Sequence, residues 1–516
     1  MEFLKNLRLI QGGMGVYISN WRLAQAVAKE RPGITAGTVS GTGLDIVYVR
    51  LLQLGDPGGH VRRALQAFDT LFGVDIGKKI RDRYFIKGGK APENRFKNSP
   101  QHIVRPQSGG IMIPPPGQEQ KSIALTLDQD VVELLIVTGF AEVWLAKQGH
   151  QGKIFINFLK KVELPLIYTL YGAMLARVDG VIVGAGNPEG LPAVCSMLAE
   201  HQPVDSDIQV LYRASGESFH VPFNPRLVAD GKLAQSPLMR PAFLAIVSLE
   251  NLVNALANSP TEAPDGFIIE HHTAGGHNAP PHGPLKKDSK GQPQYSLEDE
   301  PDLDIIREAG LPFWLAGGYS SSQKLDQALA AGAVGVQVGS NFALAEEAGM
   351  KSAYRIAILD ELKKGTDDAA LVHTTMYSPT GFPFKVAQLE GTLSQDSVYN
   401  NRLRVCDIGL LQQRGLSKPA ADGSRRLFQR CPAAPVAGYL SKRGLEFNTK
   451  ERRCLCNGLL STVGLGQMVK HNGEISEEPA IVTLGNDLEG IRRLSRNGQY
   501  PYWAKDVVVD ILGERK

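Results

Sequence analysis

The segment Asp265-Gly-Phe-Ile-Ile-Glu-His-His-Thr-Ala-Gly-Gly-His277 runs an apolar stretch straight into a Gly-Gly-His turn. Backbone at Gly275 and Gly276 can approach a flat or anionic ligand closely, and the imidazole of His277 can move a proton near neutral pH. That is the layout of a cofactor site. Two later segments share it: Leu311-Pro-Phe-Trp-Leu-Ala-Gly-Gly318 and Ala333-Val-Gly-Val-Gln-Val-Gly-Ser340 are short apolar runs ending in Gly-Gly and Gly-Ser. The N-terminus repeats the theme in Leu7-Arg-Leu-Ile-Gln-Gly-Gly-Met-Gly15, and the run from Ile34 to Val39 ends in Ser40-Gly-Thr-Gly43.

Such loops need rigid elements behind them. Between the last two runs, Ser322 to Ala331 predicts a helix with Leu325, Ala328 and Leu329 on one face, and strand, helix, strand implies a parallel sheet. Ser19 is the expected cap of a helix carrying Leu23, Ala26 and Val27 inward. Candidate strands are Arg8 to Gly12, Ile34 to Ser40, Lys153 to Phe158, Gly180 to Gly184, Phe243 to Val247, Gly266 to Glu270, Pro312 to Ala316 and Val334 to Val338, with helices such as Leu166 to Ala176 and Leu249 to Ala257 between them. Eight strands suit a closed parallel barrel, so the expected fold is α/β, a (β/α)8 TIM barrel. In such a barrel, Gly-Gly and Gly-Ser amides at the last two strand ends form a phosphate cradle.

The ordered set Gln11-Gly-Gly-Met-Gly15, Ser40-Gly-Thr-Gly43, Ala274-Gly-Gly-His277, Ala316-Gly-Gly318 and Gly335-Val-Gln-Val-Gly-Ser340 resembles the nitronate monooxygenase family, also called 2-nitropropane dioxygenase-like proteins, over roughly the first two thirds of the chain. The resemblance implies an FMN-dependent TIM barrel, in a group that includes FMN enoyl reductases. It places Gly317, Gly318, Gly339 and Ser340 on the FMN phosphate, and Gly13, Met14 and Gly15 against the isoalloxazine. It also places Asn157 in hydrogen bonding to the flavin, and Gly275 and Gly276 beneath flavin and substrate. His277 is implied as the base that acts on a carbon acid. This chain departs from the family pattern at Thr273, where Glu is common before Ala-Gly-Gly-His, and at Glu270-His271 in place of Gln-Gly. His271 and His272 are expected to be loop residues whose side chains point to opposite sides.

The implied activity is oxidation of alkyl nitronates to a carbonyl compound and nitrite with O2. The alternative is an FMN- and NAD(P)H-dependent enoyl-thioester reductase, and a third reading is a flavin-binding subunit or docking partner of a biosynthetic assembly. O2 or NAD(P)H would be the redox partner.

With 516 residues and 43% hydrophobic content, the chain can build a large core plus additions. The expected division is a barrel over residues 1–365, with insertions at about 51–150 (after strand 2) and 205–240, and an irregular α+β C-terminal extension over 366–516 packed on it. The first insertion contains the proline run Ile113-Pro-Pro-Pro116. A net charge of +3 gives no electrostatic reason to expect nucleic acid or a membrane surface, and favours small neutral or anionic substrates. The most apolar segment, Val131 to Leu145, contains Glu133 and Glu142 and predicts an amphipathic helix, not a membrane span. With no signal peptide before the first strand, a cytoplasmic location is expected. Association between copies of the chain is left open.

Four of the five cysteines, Cys406, Cys431, Cys454 and Cys456, fall in the extension, while Cys195 stands apart. Arg453-Cys-Leu-Cys-Asn457 could give two ligands to a four-thiolate zinc or iron-sulfur site. The spacing matches no paired C-x-x-C pattern, and buried free cysteines are the competing reading.

Overall fold

The computed structural model describes residues 2–113, 121–471, 473–495 and 501–513. Its centre is one closed barrel of eight strands: β1 (Leu9–Gln11), β2 (Thr35–Ser40), β3 (Lys153–Leu159), β4 (Gly180–Gly184), β5 (Ala242–Val247), β6 (Gly266–Glu270), β7 (Phe313–Ala316) and β8 (Gly335–Val338). Neighbours in sequence are neighbours in space, all parallel, and β8 closes on β1 with Leu9 opposite Val336. The expected (β/α)8 fold is therefore the one adopted, with each strand within one residue of its expected bounds. Strands buried on both faces are mostly apolar runs, and that makes them legible in the sequence, although β2 (Thr35–Ser40) carries two threonines and a serine.

Side chains alternate along a strand, and one set points to the barrel axis. Ile10, Ala36, Phe155, Ile182, Leu244, Ile268 and Trp314 form a packed cluster there, separate from the main core. Trp314 Nε1 donates to the Leu7 carbonyl at 2.7 Å, so the barrel's base is filled and satisfied. Two residues further along, the same inward set continues as Asn157, Gly184, Ile246, Glu270, Ala316 and Gln337. These six line a pocket at the C-terminal mouth. The strand period thus decides which residues reach the site.

Helix α1 (Trp21–Glu30) is capped by Asn20, whose side chain accepts the amides of Arg22 and Leu23 at 2.9 and 3.1 Å. Ser19, the expected cap, instead braces the glycine loop: its hydroxyl donates to the Gly12 carbonyl at 3.0 Å and accepts the Met14 amide at 2.9 Å. The same loop is tied to β2 through Gln11, whose Oε1 accepts the Thr38 amide at 2.9 Å. Helix α2 (Gln129–Ala146) departs from the amphipathic expectation. It is buried on nearly all sides, because α3 (Glu163–Leu175) and the helices of the first insertion enclose it. Glu142 is completely buried on it, accepting the Tyr48 hydroxyl at 2.7 Å.

The two insertions meet. Strand Lys121–Thr126 of the first pairs in parallel with Glu217–Phe223 of the second, within a four-stranded sheet. The prolines at 114–116 lie outside the described residues. After β8 only the four-residue helix α4 (Ser340–Ala343) follows directly. A 12-residue helix, Ser352–Lys363, comes next; the chain then runs over the mouth as short hairpins, short helices including α5 (Leu455–Thr462) and loops, and returns as α6 (Ala504–Leu512). That last helix packs against α1 and against the helix Ser322–Ala330, filling the ring between them. Among the described residues no helix is long and apolar enough to cross a membrane.

Candidate active site

Every glycine-rich strand end arrives at one pocket. Gly13, Met14, Gly15, Asn157, Gly275, Gly276, His277, Gly317, Gly318, Gly339 and Ser340 all line it. Gly13 and Asn157 are fitted to each other: a Cβ on Gly13 would lie 2.1 Å from the Asn157 Cβ, so any side chain there would displace the asparagine. Gly317 and Gly318 have φ of +84° and +79°, the left-handed backbone that turns the chain at the end of β7. Gln337 Oε1 and both side-chain polar atoms of Asn341 are buried without hydrogen-bond partners, and both residues line the pocket. Unpartnered buried polar atoms are costly, and a polar ligand would satisfy them. Glycine-walled space and these atoms fit a group of FMN's chemistry, a planar ring with polar edges and a phosphate.

His277 is held from the extension. Its Nε2 lies 2.7 Å from the Ser378 hydroxyl, which lies 2.7 Å from the Thr380 hydroxyl. The ring packs edge-on against Phe384 with centroids 4.8 Å apart. Backbone pairing fixes the turn, with Lys385 N–H donating to the Gly276 carbonyl at 2.9 Å and Asn278 N–H to the Pro383 carbonyl at 3.0 Å. Burial, reinforced by the charge of Lys161, lowers the His277 pKa to about 3. The imidazole is therefore neutral at physiological pH and a weak base. Lys161 has an unpartnered buried Nζ over the Phe382 ring, and burial lowers its pKa to about 7. Sequence reasoning missed it, since a Lys160-Lys161 pair after an apolar strand reads as ordinary solvated charge.

Glu270 ends β6 in the pocket wall, its pKa raised to about 7 by burial and held back by the Lys385 charge. Lys385 is itself lowered to about 8 by burial, and its Nζ donates to Thr374 Oγ1 at 2.8 Å. Thr273 does not serve His277. Its hydroxyl lies 2.8 Å from His271 Nδ1, and a Cβ on Gly317 would come within 3.0 Å of it. His271 and His272 do not point apart as expected: their rings are 4.0 Å apart and both approach Glu300, at 2.7 and 3.8 Å. The chain has left the strand at Glu270, and alternation does not apply to a turn.

The extension supplies walls that no periodicity announced. Thr483, Leu484, Gly485 and Asp487 line the pocket. Gly485 N–H donates to the Ser340 hydroxyl at 2.8 Å, Asn486 N–H to the Thr273 carbonyl at 3.0 Å, and Ser320 Oγ to Asp487 at 3.0 Å. Asp487 Oδ2 would lie 3.9 Å from a Cβ on Gly318, an acidic group beside the expected phosphate cradle. From α5, Leu455, Leu459 and Cys456 complete this side.

A parallel barrel with one glycine-walled pocket at the C-terminal strand ends defines a class: a TIM-barrel enzyme that works at its mouth. The family model described as nitronate monooxygenase matches residues 210–377, which include the Gly-Gly-His turn, Gly317-Gly318 and Gly339-Ser340, and the resemblance is thereby found independently. No curated protein matches the chain. Among solved structures it is similar to FabK from Thermotoga maritima at 12% identity and a TM-score of 0.42, covering 99% of this chain and 93% of that one. It is also similar to nitroalkane oxidase from Streptomyces ansochromogenes at 15% and 0.34, covering 75% and 79%. The enoyl reductase domain of MlnA from Bacillus amyloliquefaciens matches at 13% and 0.35, covering 75% and 64%.

Proposed function

We propose that the chain is an FMN-dependent oxidoreductase that oxidises alkyl nitronates to a carbonyl compound and nitrite, with O2 as the final oxidant. The observation that carries this reading is the convergence of five separate glycine-rich segments on one pocket containing unpartnered buried polar atoms. Bound FMN would accept electrons from the substrate and pass them to O2. Gly317, Gly318, Gly339 and Ser340 would hold the phosphate, Gly13 to Gly15 would lie along the ring, and Asn157 and Gln337 would offer hydrogen bonds.

The state of His277 bears on the form of the substrate. A neutral imidazole with a pKa of about 3 is poorly suited to pull a proton from a neutral nitroalkane. It is well suited to hydrogen-bond a nitronate that arrives already ionised. Ser378 fixes its Nε2, leaving the ring oriented and uncharged. The extension supplies part of the pocket wall through Phe384, Leu410, Leu455 and Leu484.

The same neutral histidine favours a second reading, NAD(P)H-dependent reduction of an enoyl thioester, in which the protein orients a polar acceptor and no strong base is needed. A deep pocket argues for a free-standing enzyme over a docking subunit. Mixing the purified protein anaerobically with a nitronate, and separately with NAD(P)H, tests the choice. Flavin bleaching by the nitronate supports the first reading, bleaching only by NAD(P)H supports the second, and protein without flavin that fails to bind added FMN removes both.

A further inference from the structure

The extension brings its four cysteines to one place. Cys406, Cys431, Cys454 and Cys456 line a small cavity, although they come from three separate segments: the loop after Asp396–Asn401, the end of strand Leu427–Arg430, and the start of α5. The remaining cysteine, Cys195, is buried in helix Leu191–Ala199 and takes no part. Four of a chain's five cysteines meeting around one cavity is not what scattered apolar filling produces. All are free thiols.

Their surroundings treat the sulfurs as acceptors. Gln412 Nε2 donates to Cys406 Sγ at 3.5 Å and Asn457 Nδ2 to Cys454 Sγ at 3.7 Å. The Arg402 guanidinium, buried and paired with Glu478, places a positive charge near Cys454. A neutral thiol needs no such set of donors, whereas metal-bound thiolates are oriented and stabilised by N–H groups of this kind.

We propose that Cys406, Cys431, Cys454 and Cys456 form a buried four-thiolate site for a thiophilic metal centre, either a zinc ion or an iron-sulfur cluster. Four cysteines lining one cavity supply the four ligands that both occupants use; no three of their sulfurs lie within 4.8 Å of one another, so a single zinc ion would have to draw them together, whereas a cluster spans a wider set. The site has a structural purpose, because it ties three loops of a segment with little regular structure. It also has an address: Leu411, Leu455 and Cys456 belong to this cavity and to the candidate active site alike. A metal there would fix the wall of the active-site pocket, and a redox-active cluster would lie next to the electron-transfer chemistry. The inference stands on the cysteines alone and does not rest on the reading of the larger pocket.

The test is metal and acid-labile sulfide analysis of the full chain, purified anaerobically without chelator or a metal-binding tag. We expect about one zinc per chain, or iron and sulfide in equal amounts of about two or four per chain. The first result assigns zinc and the second a cluster. Cys406→Ser and Cys456→Ser should each lower bound metal roughly tenfold or more, with Cys195→Ser unchanged as control. Less than about a tenth of a mole of zinc and iron together per mole of wild-type protein would overturn the site, given the tight binding such sites show. Metal retained in the cysteine variants would overturn it equally, by placing the ion elsewhere. Should those variants not fold, thiol counting on denatured wild-type protein decides. Disulfides or five metal-free thiols refute the site, and thiols that react in step with metal release support it. Flavin content read from the same sample keeps this outcome separate from that of the proposed FMN site.

Discussion

Replacing His277 by Gln tests whether this histidine is a base or a neutral hydrogen-bonding group. An ordinary histidine titrates at 6.5, and burial with the nearby Lys161 charge brings His277 to about 3. Each pH unit is worth about 1.36 kcal/mol, so protonating it in place costs up to about 5 kcal/mol more than in the unfolded chain. The ring faces a pocket that water can enter, which trims this figure. The sign follows from linkage. Between about pH 3 and 6.5 the unfolded chain binds a proton that the folded chain refuses, so stability falls as pH falls through that window and is unaffected above it. At about pH 5 the loss from this group approaches 2 kcal/mol. The direct assay is NMR of 13Cε1-labelled histidine. The resonance missing from His277→Gln should stay at its neutral position from about pH 8 down to pH 5, while exposed histidines shift with midpoints near 6.5. A midpoint above about 5.5 for His277 would refute the claim that burial holds it neutral, and would restore it as an effective base for neutral carbon acids.

Four further outcomes are expected. His277→Ala should retain FMN and lower turnover of a preformed nitronate by roughly 10-fold or more, as loss of a neutral hydrogen-bonding group does; a loss confined to neutral nitroalkanes in steady-state kinetics would show instead that this residue takes the substrate proton. Gly318→Asp should be purified without flavin, because a carboxylate would face the phosphate in a poorly screened site, and undiminished flavin absorbance would count against the cradle assignment. Asp487→Asn should tighten FMN by up to about tenfold, since it removes an acidic group beside Gly318; unchanged or weaker affinity by fluorescence titration would show that Asp487 does not face the phosphate. Glu142→Gln should stabilise the protein at alkaline pH. Burial raises Glu142 from 4.5 to about 7, so folding loses up to about 3 kcal/mol as pH rises from 4.5 through 7, and the Tm gain of the variant should be larger at pH 8 than at pH 5.

The barrel and the glycine pocket can be read from the sequence because both are local. A strand covered on two faces is a mostly apolar run, and a strand end that meets a ligand is marked by the one residue without a side chain. Gly13, Asn157, Gly275, Gly317 and Gly339 therefore stand out in the sequence itself, and even their convergence follows once eight strands are counted. Expectation and fold part where a local rule loses to packing. Ser19 has the right chemistry to cap α1 but is needed to hold the glycine loop, and Asn20 caps instead. Glu142 reads as the polar face of a helix, and the surrounding helices bury it. His271 and His272 read as loop residues pointing to opposite sides, but the strand has already ended at Glu270 and the turn brings both rings to Glu300. Only the tertiary structure could bring Ser378 to His277, Asp487 to Gly318 and the four cysteines to one cavity. Those contacts join segments tens to hundreds of residues apart across loops with no repeat, and in such loops position is set by what the barrel mouth leaves open to be covered.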